Sequence, residues 1–162
     1  ATKEAKVIIP NVEKKIEKYY SRRDYILFTR DTHYPDYLDT QEGKMFLVGH
    51  CIKDMWGWMI CEEIMNKIAN LGIRYPIFAD KYSFGYGHWE NHKYMLANST
   101  EIELIGLCTD TCVIFNALIL KAFSPDVKIT VDVSCCAGTT PELHVAAIKV
   151  MKSCQVNVIG LS

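Results

Sequence analysis

The sequence predicts an α/β domain with a doubly wound, mostly parallel sheet flanked by helices. Five short runs rich in apolar and β-branched residues are typical of buried strands. Stretches with a helical spacing of apolar residues separate them, and this alternation is the pattern of a parallel sheet. The chain has 162 residues, of which 49% are hydrophobic and 23% charged. We therefore expect a single domain over residues 1–162, with a core of ordinary size.

The predicted strands and helices alternate along the whole chain. The strands are residues 23–31, 74–80, 101–110, 127–133 and 155–161. The helices are residues 10–23, 58–72, 111–125 and 140–154. Pro10 and Pro141 stand in the first turns of the first and last helices, where a missing amide costs nothing. Gly72 and Pro125 end the second and third helices.

Charge, apolar-run length and cysteine usage exclude several classes of partner. The formal net charge is −1, whereas a nucleic-acid-binding face needs clustered excess Lys and Arg. No apolar run approaches the roughly 18 to 20 residues of a membrane span, and the N-terminal segment lacks the apolar core of a signal peptide. The seven cysteines are an odd number and form no C-x-x-C pair. We therefore expect a reduced, cytoplasmic protein that binds neither nucleic acid nor membrane.

The ends of the predicted strands carry the candidate chemistry. Two long connections, residues 32–52 and 81–99, follow strands, and ligands of parallel sheets bind beyond the carboxyl ends of the strands. Cys112 follows another strand in the first turn of a helix, where the macrodipole and unpaired amides favour a thiolate. The alternative is that Cys112 and Cys108 are small buried hydrophobic residues, as we expect for the other five cysteines.

The first long connection carries a possible metal site. Asp31 and His33 directly follow a strand, and His50 stands near the end of the same loop. One carboxylate and two imidazoles leave coordination positions open for water or substrate on Zn²⁺, Fe²⁺ or Mn²⁺. The alternative is that these polar side chains only form turns.

The second long connection begins with a lysine and continues with aromatic residues. Lys81 directly follows a predicted strand, where it is either a solvated surface charge or the partner of a cysteine thiolate. Tyr82, Phe84, Tyr86 and Trp89 follow within a few residues. These rings either line the pocket of a flat ligand or pack the loop onto the domain.

Three motifs, in this order, resemble the isochorismatase-like cysteine hydrolases and, among them, the nicotinamidases. The motifs are RDTH with the later GHCIKDMWGW, then ADKYSFG, then GLCTDTCVIFNAL, and the resemblance runs from about residue 7 to residue 160. It implies that Cys112 is the nucleophile and Lys81 the active-site lysine. It also implies that Cys108 lends its backbone amide to an oxyanion hole, together with the amide of Cys112, and that the peptide bond before Cys108 is cis.

The resemblance further implies a metal-dependent hydrolase of a small-molecule amide, acting through a cysteine thioester. The metal ligands it implies are Asp31, His33 and His50. They lie on a metal-binding loop that isochorismatases and many other relatives lack. The reaction would be the hydrolysis of nicotinamide to nicotinate and ammonia in NAD salvage. Two alternatives stay open: a cysteine hydrolase of another small amide, such as an N-carbamoyl compound, and a non-catalytic member or fragment that keeps the fold as an interaction or assembly module. We also expect a homo-oligomer.

The sequence departs from the family pattern in two places. The family begins with a central strand that ends in an Asp, the third member of an Asp-Lys-Cys triad, and no such strand precedes Val7. We therefore expect an N-terminally incomplete domain, with roughly 20 further residues upstream. In addition, Leu47 and Val48 stand before His50, where many nicotinamidases have bulkier or proline-containing sequence. This part of the pocket wall is expected to differ.

Overall fold

The structure is a computed structural model that describes residues 3–161, and its strands lie in two parallel sheets. In the first sheet, β1 (Leu27–Asp31) pairs with β2 (Ile77–Lys81). In the second, the order is β3 (Glu101–Leu107), β4 (Lys128–Ala137), β5 (Asn157–Ile159). The predicted α/β class with parallel strands is confirmed, but the sheet is divided. Within residues 3–161, no strand pairing joins the two sheets.

Helices precede and connect the strands, and three of them are too short to be predicted. The helices are α1 (Lys3–Val7), α2 (Ile9–Ser21), α3 (Gln41–Met45), α4 (Glu62–Asn70), α5 (Lys93–Ala97), α6 (Ile114–Phe123) and α7 (Pro141–Ser153). Pro10 and Pro141 occupy the first turns of α2 and α7, as predicted. The five-residue helices α1, α3 and α5 are too short to show a helical period in the sequence. No helix among residues 3–161 is long and apolar enough to cross a membrane.

The ends of β3 and β4 differ from the prediction in a way that shapes the candidate site. β4 continues to Ala137 because Cys135 and Cys136 extend its buried run. β3 ends at Leu107, since a π-helical turn follows it. The register between the two strands shifts between Leu104 and Gly106. Gly106 has a φ of 120°, which L side chains rarely adopt, so that a glycine suits this irregular position.

One hydrophobic core connects the two sheets. It contains Ala79 from β2 and Val131 from β4, together with Ala117 and Leu120 from α6 and Met151 from α7. All five side chains are buried. Apolar packing therefore holds together two sheets that share no hydrogen-bonded ladder among the described residues.

Helix α2 is held by an apolar contact and by a buried ionic cluster. Ile16 packs against Ile68 of α4 in a smaller second core. Lys15 Nζ lies 2.5 Å from Glu103 Oε1 of β3 and 2.7 Å from Asp132 Oδ2 of β4. Three charged groups in one buried place satisfy one another, whereas a single buried charge would be costly. The cluster thus ties α2 to the second sheet.

Asp132 makes part of the stability of the fold sensitive to acid. Burial raises the pKa of Asp132, but hydrogen bonds from Lys15 and Ser134 outweigh burial and hold the pKa below its usual 3.8. Such a group stabilises the fold above its unfolded pKa, and the contribution is lost as the pH falls through the folded pKa. We expect the urea midpoint to fall below about pH 4, and part of this fall to be absent in Asp132→Asn.

Asp132→Asn should also lower the free energy of unfolding at pH 7 by about 1–3 kcal/mol, because Lys15 loses one of its two carboxylate partners. Asp126→Asn, which removes an exposed carboxylate, is the matched control and should leave both quantities unchanged. Identical acid profiles for the parent and Asp132→Asn, measured by urea unfolding between pH 3 and pH 7, would contradict this assignment.

Candidate active site

The end of β2 and the turn after β3 bring Lys81 and Cys112 together. Lys81 Nζ lies 3.3 Å from Cys112 Sγ and 3.1 Å from Asp31 Oδ1. Lys81 is only 3% exposed, so the interpretation of this residue as a solvated surface charge is wrong. A buried ammonium group needs polar partners, and the carbonyl of Ser83, at 3.1 Å, is a further one.

The register of the first sheet places Asp31 beside Lys81. These two residues are paired at the carboxyl ends of β1 and β2. Side chains alternate across a strand, so the preceding pair, Arg30 and Asp80, faces the other side of the sheet. There Arg30 Nε lies 2.8 Å from Asp80 Oδ1, and the guanidinium carbon lies 3.5 Å from the centre of the Trp58 ring. Ion pairs on both faces thus support the register that aligns Asp31 with Lys81.

Cys112 lies in the π-helical turn Thr109–Val113, directly before α6. The sequence predicts an ordinary first helical turn here. The structure differs because the amide of Val113 donates to the carbonyl of Cys108, five residues back, at 3.0 Å. The Leu107–Cys108 peptide bond is cis, in agreement with the expectation from the family resemblance.

The charged group beside its sulfur distinguishes Cys112 from the cysteines around it. Burial raises the pKa of Cys108, and the charges of Cys112 and Asp110 act in the same direction. Burial also raises the pKa of Cys51 to about 11, with a further contribution from Asp31. Cys108 and Cys51 are therefore neutral thiols at neutral pH. Cys112, by contrast, has an ammonium group 3.3 Å from its sulfur.

The structure also brings together Asp31, His33 and His50. One ligand atom from each residue lies within 4.8 Å of the others. His33 Nε2 is 3.5 Å from Asp31 Oδ1, and His50 Nε2 is 3.7 Å from Asp31 Oδ2. His33 Nε2 is buried and has no hydrogen-bond partner among the described residues, and a metal ion at this point would give it one. The residues present therefore fit a divalent metal ion.

A short backbone pairing brings His50 close to His33. The amide of His33 donates to the carbonyl of Cys51 at 2.9 Å, and the amide of Lys53 donates to the carbonyl of His33 at 2.8 Å. Cys51 has a φ of 47°, in the left-handed region that non-glycine residues seldom adopt. The loop therefore turns sharply at Cys51, next to the second imidazole.

Glu42 is a site residue that was not predicted from the sequence. Its Oε1 lies 3.5 Å from His33 Nε2 and accepts a hydrogen bond from the hydroxyl of Tyr37 at 3.3 Å. Glu42 lies in the first turn of α3, which Thr40 caps by accepting from the amide of Gly43 at 3.0 Å. The sequence TQEG holds the signal for this helix, a threonine cap followed by an acidic first turn.

The aromatic residues after Lys81 have different environments. Tyr86 and Trp89 are buried members of the main core, so that packing is the correct interpretation for these two. Tyr82 is exposed and stacks on the exposed Tyr34, with ring centroids 6.1 Å apart. Only part of the aromatic loop is therefore available to a ligand.

The first turn of α7 and the residues just before this helix hold the nucleophile turn from its other side, through residues that the sequence did not single out. The Asp110 carboxylate accepts from the amide of Thr139 at 2.7 Å and also from its hydroxyl. Thr109 Oγ1 lies 2.8 Å from His144 Nδ1. A Cβ atom at Gly138 would lie 2.7 Å from His144 Cβ and 2.9 Å from Asp110 Oδ1. A glycine at this position therefore permits the close approach of the two segments.

Comparison with known proteins places this arrangement in a family. The family described as Isochorismatase domain matches residues 1–162. The chain belongs to the isochorismatase family. It is 22% identical over 154 residues to the nicotinamidase of Saccharomyces cerevisiae, an alignment that covers 88% of this chain and 71% of the yeast protein. The resemblance seen in the three sequence motifs is thereby confirmed.

Solved structures of nicotinamidases and pyrazinamidases share the fold of this isochorismatase-family chain. The pyrazinamidase/nicotinamidase of Streptococcus mutans UA159 has a TM-score of 0.83 at 23% identity, covering 97% of this chain and 87% of that chain. The pyrazinamidase of Pyrococcus horikoshii in complex with zinc has a TM-score of 0.76 at 20% identity, covering 98% and 87%. At these identities the likeness establishes the fold.

We expect Gly138→Ala to destabilise the isochorismatase-family domain by about 1–3 kcal/mol, because the new methyl group overlaps backbone and Cβ atoms of His144. Gly87→Ala is the matched control, since a Cβ there meets nothing within 4 Å, and should change the free energy of unfolding by less than about 1 kcal/mol. Urea unfolding measures both. Equal effects would show that the close approach of α7 to the nucleophile turn is not tightly constrained.

Proposed function

We propose that this isochorismatase-family hydrolase converts nicotinamide to nicotinate and ammonia, a step of NAD salvage. The observation that carries the proposal is the 3.3 Å contact between Cys112 Sγ and Lys81 Nζ beside the cluster of Asp31, His33 and His50. A cysteine next to an ammonium group is an activated nucleophile. The three-residue cluster favours the nicotinamidase branch, and the nicotinamidases of yeast and Streptococcus among the similar proteins support this choice.

In the proposed mechanism, the Cys112 thiolate attacks the carboxamide carbon of the substrate. The ammonium group of Lys81 stabilises the thiolate before the attack, because opposite charges in a buried place attract strongly. The backbone amides of Cys108 and Cys112 donate to the oxyanion of the tetrahedral intermediate. Lys81 is placed to supply the proton with which ammonia leaves. Water then hydrolyses the thioester, and nicotinate leaves. Of the two water protons, one goes to the sulfur and the other to the Lys81 amine, which becomes an ammonium group again.

Asp31, His33 and His50 are proposed to hold a divalent ion of zinc, iron or manganese. The carboxylate of Glu42, whose Oε1 lies 3.5 Å from the same His33 Nε2 that faces Asp31, either completes this ligand set or supports it from beside the ligands. When bound, the ion would supply a Lewis-acid position for the pyridine nitrogen of the substrate and for water. The zinc complex of the Pyrococcus pyrazinamidase supports a metal of this class.

A further strand is proposed to supply the general base of the functional domain. Within residues 3–161 the two sheets share no ladder, and the carboxylate in contact with Lys81 is that of Asp31, a residue of the ligand cluster. A strand between the sheets would end beside Lys81 and Cys112, where an Asp at its end could accept the thiol proton. A natural protein with a mass of 18.5 kDa and full hydrolase activity would contradict this proposal.

Substitution of the two neighbouring cysteines tests the proposed roles. Cys112→Ala should lower the rate of ammonia release from nicotinamide by at least about 10³-fold, because the nucleophile is lost. Cys108→Ala should keep the rate within about tenfold, since only its backbone amide is used. Circular dichroism checks that both variants are folded. Equal losses in the two variants would rule out the division of roles.

Metal content tests the ligand cluster. We expect about one zinc, iron or manganese ion per chain by inductively coupled plasma mass spectrometry, and much less in His33→Ala and in His50→Ala. Glu42→Gln should weaken zinc binding by about 10- to 100-fold. His88→Ala is the matched control, because the His88 side chain is exposed and pairs with Glu90. A purified protein without bound zinc, iron or manganese would instead favour another small amide, such as an N-carbamoyl compound.

A further inference from the structure

Lys81 and Cys112 belong to two sheets that share no ladder among the described residues. Their 3.3 Å contact therefore depends on how the loop after β2 is fixed to helix α6. Apolar packing is non-directional and does not by itself set the distance between two polar groups. Hydrogen bonds have narrow distance and angle preferences and can set it. Asn116 makes such hydrogen bonds between the two segments.

Asn116 lies one helical turn after Cys112 and is only 4% exposed. Its Nδ2 donates to the carbonyl of Cys112 at 2.8 Å and to the carbonyl of Phe84 at 3.2 Å. Its Oδ1 accepts from the amide of Tyr86 at 2.9 Å. Both donor hydrogens and the acceptor are thus in use. One bond holds the peptide of the nucleophile, and two hold the loop that follows Lys81.

Hydrogen bonds within the loop after β2 connect the segment held by Asn116 to the ammonium group of Lys81. Lys81 Nζ donates to the carbonyl of Ser83 at 3.1 Å, and Ser83 Oγ donates to the carbonyl of Gly85 at 2.9 Å. Gly85 lies so close to α6 that a Cβ there would be 2.3 Å from Ile119 Cδ1. The contacts therefore form a closed ring, from Lys81 through its loop to Asn116, and through Cys112 back to Lys81.

We propose that Asn116 is a positioning residue that fixes the distance between Lys81 and Cys112 without touching the substrate. The inference rests on the proposed function of that pair as ammonium group and nucleophile. The position requires one side chain that both donates twice and accepts once. Asp has the same size but loses both donors and places a charge against two carbonyl oxygens, and Ala removes all three bonds.

The reactivity of Cys112 towards iodoacetamide tests this without any substrate. The Cys112 thiolate displaces iodide, and peptide mass spectrometry gives the labelling rate at pH 7 for each cysteine in the folded chain. We expect Cys112 to react about tenfold more slowly in Asn116→Ala and in Asn116→Asp, because the ammonium contact is loosened. Asn157→Ala is the matched control. It removes a single side-chain hydrogen bond to Thr130, at 3.1 Å, at the opposite end of the second sheet, and should leave the rate unchanged.

Turnover of nicotinamide gives a second readout that a merely structural role would not change. We expect kcat to fall about 100-fold in Asn116→Ala, the usual effect of a misplaced catalytic group, while KM changes by less than about threefold. This split is expected because the Asn116 variants leave the metal cluster and its loop intact.

Cys136 in β4 is buried, with 4% exposure, so iodoacetamide labels it only where a variant has lost its packed structure. The labelling rate of Cys112 is compared only among variants in which Cys136 stays unlabelled. Labelling of Cys112 at the parental rate in such a variant would overturn the inference. Labelling of Cys136 in both variants would overturn it too, since Asn116 would then hold the fold and not the site. If Cys112 reactivity depends on Asn116 but nicotinamide releases no ammonia, the substrate assignment fails and the positioning role stands.

Discussion

The buried ammonium group of Lys81 is the constraint around which the site is built. A charge with almost no access to water costs several kcal/mol unless polar groups surround it. Here the partners are the carboxylate of Asp31, the sulfur of Cys112 and the carbonyl of Ser83. They come from β1, from the turn after β3 and from the loop after β2. The ends of both sheets must therefore meet at one point for Lys81 to be buried at all.

This requirement explains why polar anchors surround the nucleophile turn on two sides. The common core brings the sheets together, but apolar contacts tolerate small displacements that a charge-assisted contact does not. Asn116 ties the turn to the loop after β2, and Asp110 ties it to Thr139 before α7. The Asn116 side chain is buried, and the Asp110 carboxylate accepts from a backbone amide. The position of the sulfur is thus fixed by directional bonds on either side.

The sequence predicts the residues that stand at strand ends and does not predict those that act through tertiary contacts. Lys81, Cys112 and the cluster around Asp31 follow strands, and parallel strands bring such positions together, so their proximity could be expected. Glu42 lies on a five-residue helix, which is too short for a periodic signal. Asn116 looks like an ordinary polar residue of an apolar helix, because the two partners that give it a tertiary role are 30 and 32 positions away in the chain.

The two cysteines of the nucleophile turn show how local geometry assigns chemistry to identical side chains. β3 ends at Leu107, so Cys108 remains packed at the end of the strand, where burial raises its pKa. The amide of Val113 donates to the carbonyl of Cys108, five residues earlier, and this π-helical hydrogen bond widens the turn. In this widened turn, Cys112 lies opposite Lys81. Residue type alone cannot distinguish the two thiols, and the difference arises from one extra residue in one helical turn.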